Sequence, residues 1–116
     1  MSTTTENATT TAATPTEIPT TMRAVVVHGP EDYRLETRPV PTPGPGELLL
    51  RTDAVGICAS DLKCYHGAAK FWGDENRPAW ADTDRIPGHE FVGTIVAGDD
   101  AALAKRGVDL GDRIAC

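Results

Sequence analysis

At 116 residues the chain is long enough for one small domain, and a formal net charge of −6 argues against nucleic acid or an anionic membrane surface as its main partner. No apolar run approaches the roughly 18 residues that a membrane span requires. Three cysteines without paired spacing make no disulfide framework, so a reducing cytoplasm is the simplest setting.

Residues 1–21 are threonine-rich and of low hydrophobicity, which predicts a disordered tail that adds nothing to the core. The segment has no apolar h-region and no arginine, and it carries Glu6 and Glu17, so it reads as neither a secretory signal nor a transit peptide. Arg23 to His28 is β-branched and predicts a strand, turned by Gly29-Pro30 into a second strand over Tyr33 to Arg38. The prolines of Pro39 to Gly46 lack N–H donors and cannot continue a sheet, so this stretch predicts a stiff turn. Glu47 to Val55 alternates, with Leu48, Leu50, Thr52 and Ala54 on one face, which predicts a half-buried antiparallel strand. Ser60 reads as a helix N-cap, opening a short helical turn from Asp61 to His66 that Gly67 closes. Cys64 within it reads as a small buried apolar residue. Gly67 to Arg85 is a long loop holding Phe71, Trp72 and Trp80, and loops of that length in a compact domain tend to be functional. Strand character returns over Phe91 to Ala97. One helical turn is expected over Ala101 to Arg106, a turn at Asp109 to Asp112, and a strand from Arg113 to Cys116. Several short strands between turn signals suggest an all-β barrel or sandwich.

Two stretches carry the chemistry. Gly56-Ile57-Cys58-Ala59-Ser60-Asp61 and Pro87-Gly88-His89-Glu90 together supply a thiol, a hydroxyl, an imidazole and two carboxylates beside glycine turns. Cysteine sulfur, histidine nitrogen and carboxylate oxygen all suit zinc. Cys58 and His89 lie far apart in sequence, unlike the close C-x-x-C pairs of structural zinc sites. Scattered ligands of this kind fit a catalytic site that keeps one position open. Either residue alone reads as a buried free cysteine or a loop histidine; the joint pattern is what points to metal.

G-I-C-A-S-D followed by P-G-H-E-F-V-G resembles the catalytic domain of zinc-dependent medium-chain alcohol and polyol dehydrogenases. Ser60 to Gly67, with Phe71-Trp72-Gly73-Asp74-Glu75-Asn76, most resembles the erythritol/threitol dehydrogenase branch. The resemblance runs from Met22 to the end. It implies a mainly β fold, a partly open GroES-like β-barrel with short helical turns, truncated here, so that residues 22–116 form an incomplete catalytic domain. A zinc-binding lobe and a Rossmann domain follow in that family; the sequence holds no G-x-G-x-x-G, and NAD(P) would be bound mainly by that missing domain. Cys116 comes before the positions of the lobe's cysteines and reads as a plain strand residue. Met22-Arg23-Ala24-Val25 resembles the usual start of these enzymes, which implies that translation can begin at Met22.

For the site, the resemblance implies Cys58 and His89 as zinc ligands, with Glu90 either a third ligand or a carboxylate just behind the ion. Asp61 is implied as the acceptor that orients His89, or else it is a first-turn acid complementing the helix dipole. Ser60 is implied as the hydroxyl that takes the proton of a small polyol or alcohol substrate while hydride passes to nicotinamide; on spacing alone it is only an N-cap. His66 either lines the substrate cleft or is an exposed helix-end histidine. Trp72 and Trp80 either wall the cleft or pack under the loop, and Asp74, Glu75, Asn76 and Arg77 are either polyol contacts or solvated charges. The fragment alone is expected to hold zinc weakly and to be inactive, and the full enzyme to be a homo-oligomer. One departure stands out: the family usually places a glycine where Asp99 stands, and here Gly98 comes one position early. A zinc-free reductase or a GroES-like assembly module on the same fold would need neither Cys58 nor His89.

Overall fold

The computed structural model describes residues 17–116, so the disorder expected over residues 1–21 falls largely outside the described residues. Strand β1 (Thr21–Gly29) pairs antiparallel with β2 (Asp32–Pro39), Val25 lying opposite Leu35. β1 therefore begins one residue inside the expected tail. Ala24, Val26 and Val27 are buried, and Val26 is one of two fully buried large side chains among the described residues. The strand ends at Gly29, as its turn signal predicts.

A second sheet has the order β3 (Leu48–Gly56), β4 (Glu90–Gly98), β5 (Arg113–Ala115), all antiparallel. Ile95 of β4 is its fully buried side chain. The even alternation expected along β3 is not kept. Register shifts fall between Leu49 and Leu50 and between Thr52 and Ala54, and the strand is exposed from Arg51 to Gly56. Each shift adds a residue to one strand of the pair, which breaks the two-residue period on which the expectation rested.

Three short helices lie among the described residues: α1 (Ala59–Tyr65), α2 (Ala69–Trp72) and α3 (Asp100–Arg106). α2 lies inside the expected loop and buries Phe71. Asp99 caps α3, its Oδ1 accepting the Ala102 N–H at 2.6 Å. Its Oδ2 accepts the Gly46 N–H at 3.1 Å, so the same side chain joins the proline-rich turn to the end of β4. At Gly98 a Cβ would meet the end of the Leu48 side chain, and the Asp99 cap follows directly.

The two sheets share no strand and do not close among the described residues, as expected of a truncated, partly open barrel. They are joined through loops. The Glu31 N–H donates to the Tyr65 carbonyl at 2.7 Å, tying the first hairpin to α1. Val27 and Arg85 form an isolated antiparallel bridge. Among the described residues, no helix is long and apolar enough to cross a membrane.

Candidate active site

β3 ends at Gly56, and the chain turns through Ile57 into α1. The N-cap of that helix is Cys58, at φ −109° and ψ 173°, not Ser60 as expected. The cap works in reverse: Asp61, in the first turn, reaches back and its Oδ2 accepts the Cys58 backbone N–H at 3.0 Å. That bond is the N3 half of a capping box around Cys58, and the helix starts two residues earlier than a cap at Ser60 would place it. Ser60 is thereby left free of capping. Its hydroxyl lies 2.8 Å from Cys58 Sγ.

From the other side, the loop after α2 delivers Pro87-Gly88-His89, and Glu90 opens β4 by pairing with Gly56. Gly88 has φ +109°, and a Cβ there would stand 2.8 Å from Val55 Cγ1. Only glycine takes that conformation at little cost and leaves the space. The pairing sets His89 opposite Cys58, Nε2 to Sγ at 3.3 Å. Its other nitrogen, Nδ1, faces Asp61 Oδ1 at 3.4 Å. One ligand atom from each of Cys58, His89 and Glu90 lies within 4.8 Å of the others.

These residues fit a zinc ion. The donor set is sulfur, nitrogen and oxygen, the set zinc accepts. Tetrahedral Zn–S and Zn–N bonds would put the two donor atoms roughly 3.6 Å apart, and they stand at 3.3 Å. A ligating histidine nearly always gives its second nitrogen to a carboxylate or carbonyl, and Asp61 occupies that place.

Ser60, Asp61 and His89 border an open cleft of about 1870 Å³, walled on its apolar side by Ile57, Leu62, Trp80 and Ile86. Trp80 is 76% exposed although its ring tilts against Phe71 at 5.7 Å. Two expected cleft residues are elsewhere. Trp72 donates its Nε1–H to the Cys64 carbonyl at 2.7 Å, which satisfies the indole and turns it inward, away from the cleft lining. His66 follows the last residue of α1 and pairs with Glu31, Nδ1 to Oε1 at 3.2 Å, also away from that lining. Cys64 is half-buried and borders the cleft; Cys116 is exposed. Asp74 and Arg77 bond to each other's backbone in a tight exposed turn. Ile57 and Ile86 lie in loops and Leu62 in the short helix α1, stretches too short for periodicity to mark a face.

Residues 44–116 match the family model described as the alcohol dehydrogenase GroES-like domain. The chain belongs to that family. Among curated proteins, it is 66% identical over 98 residues to the erythritol/L-threitol dehydrogenase of Mycolicibacterium smegmatis, covering 84% of this chain and 27% of that protein. It is 40% identical over 94 residues to the sorbitol dehydrogenase of Ovis aries, covering 79% of this chain and 23% of that one. The chain thus spans about a quarter of the length of the curated relatives it matches. No solved structure matches it.

Proposed function

We propose that this chain provides the metal-binding face of a zinc-dependent oxidoreductase, which oxidises a secondary alcohol of a small polyol and passes hydride to NAD(P). The observation that carries the reading is the convergence of Cys58, His89 and Glu90, from separate parts of the sequence, within 4.8 Å beside the Ser60 hydroxyl. The relatives named for erythritol, L-threitol and sorbitol support a polyol as the substrate class. A zinc-free reductase or an assembly module would have no use for that convergence.

Cys58, His89 and Glu90 would hold the zinc. When bound, zinc lowers the pKa of a coordinated hydroxyl and polarises the carbonyl in the reverse direction. The chain's own residues do the rest. Asp61 accepts the Cys58 N–H and stands 3.4 Å from His89 Nδ1, placed so that one carboxylate would orient both residues and leave Nε2 to bind. Ser60, released from capping, holds the substrate hydroxyl at the cleft mouth and passes its proton toward solvent. Ile57, Leu62, Trp80 and Ile86 give the carbon that loses hydride an apolar surface to lie against. Homo-oligomeric assembly and a cytoplasmic setting belong to the same reading.

Ser60→Ala in the full-length enzyme tests the assignment. It is expected to keep its zinc and lose about 100-fold or more in turnover, the scale of a positioned proton-transfer group. Near-normal turnover removes Ser60 from the mechanism.

A further inference from the structure

The loop that carries His89 is held between two anchors, one on each sheet. On the far side, Glu90 pairs with Gly56 in the β3–β4 ladder. On the near side, the Val27 N–H donates to the Arg85 carbonyl at 2.8 Å and the Asp84 N–H donates to the Val27 carbonyl at 2.7 Å. Only Ile86, Pro87 and Gly88 lie between Arg85 and His89. Proline has a fixed φ, and Gly88 has no room for a side chain against Val55. Where Arg85 is held therefore limits where the imidazole can go.

The near anchor is a weak one by itself. It is a two-residue bridge, and Asp84 sits in it at φ 59°, a left-handed conformation that disfavours most residues. Arg38 of β2 reinforces it. Its guanidinium pairs with the Asp84 carboxylate across 46 positions of sequence. It is itself fixed by Glu36 at 2.9 Å, and Glu36 is bonded in turn to His28. The chain His28–Glu36–Arg38–Asp84 thus runs from the first hairpin to the loop.

We infer that Arg38, acting through Asp84, is a positioning residue for His89: it clamps the loop to β1 so that the imidazole stays opposite Cys58. Neither residue offers a ligand atom to the Cys58–His89–Glu90 cluster. The inference rests on the metal reading above and goes beyond it, because it brings the first hairpin into the site.

The test is cobalt(II) titration of the metal-stripped full-length protein, read by the thiolate-to-cobalt charge-transfer band and the d–d bands, with zinc competition. Asp84→Asn removes the charge but keeps a residue that tolerates the left-handed backbone. It is expected to bind cobalt about twofold to fivefold more weakly, the scale of an exposed ion pair, with altered d–d bands and an unchanged far-UV spectrum. Arg38→Met is expected to match it, and Arg38→Lys to recover most of the loss. Arg34→Ala breaks a pair with Asp32 on the same hairpin, one that does not include Asp84, and is expected to leave cobalt binding alone. Should Arg38→Met not fold, Asp84→Asn decides. Wild-type affinity and bands in Asp84→Asn overturn the inference while leaving the metal reading intact. A wild-type protein with no charge-transfer band overturns both.

Discussion

The two oxygens of Asp61 face two different residues, the Cys58 amide and the His89 ring. The sequence leaves the first-turn and histidine-orienting readings of this residue open, and its position is compatible with both. Ser60 was less legible. A serine two residues after Cys58 looks like a cap, and only the carboxylate of Asp61 bonding backward frees it. Gly88 is the residue-scale feature most exposed to test. Alanine there must adopt φ near +109° and meet Val55. Strain of that kind costs about 1–3 kcal/mol, roughly one to two orders of magnitude in zinc affinity if the loop bears it rather than the whole fold. Zinc competition on a folded Gly88→Ala protein measures this, and unchanged affinity contradicts the part given to the glycine.

The strands and their order along the chain were legible from β-branched runs and punctuating glycines and prolines, and their ends differ from expectation by one or two residues. What periodicity could not give was the pair of shifts in the β3–β4 ladder, which have no composition signal, or α2, a single turn whose Phe71 is buried. At α3 the departure from the family pattern has its own logic. The Gly46 and Ala102 amides hold the Asp99 carboxyl below its ordinary range. A carboxyl depressed on folding stabilises the protein above its unfolded pKa of about 3.9, and that contribution is lost as pH falls through the lower, folded value. The hydrogen bond from Thr94 to Asp53 acts in the same direction on that carboxyl. Asp99→Ala is expected to lower the melting midpoint by a few degrees at neutral pH, with the gap to wild type narrowing below about pH 4. Thermal melts across that range check it; a gap that does not change with pH contradicts the ionised cap.

Taken whole, the molecule is two small sheets joined by loops, with a core that rests on few side chains. Ile95 has no exposed surface. Ile95→Ala is expected to cost about 2–5 kcal/mol, a large part of the roughly 5–15 kcal/mol that holds a domain together. Denaturant titration reads the loss, and a shift below about 1 kcal/mol would mean that the site collapses around the cavity. The convergence of Cys58 and His89 was legible in the sequence, with Glu90 beside them, because thiol, imidazole and carboxylate in two glycine-flanked motifs are a chemical statement. The cleft wall was not, because long-range packing decides which apolar residues share a surface. The most direct measurement is an anomalous difference map at the zinc edge from crystals of the zinc-loaded full-length protein. The expected result is a peak about 2.0–2.3 Å from both Cys58 Sγ and His89 Nε2, with Glu90 alongside. A map with no peak between those two atoms contradicts the metal site and the function proposed from it.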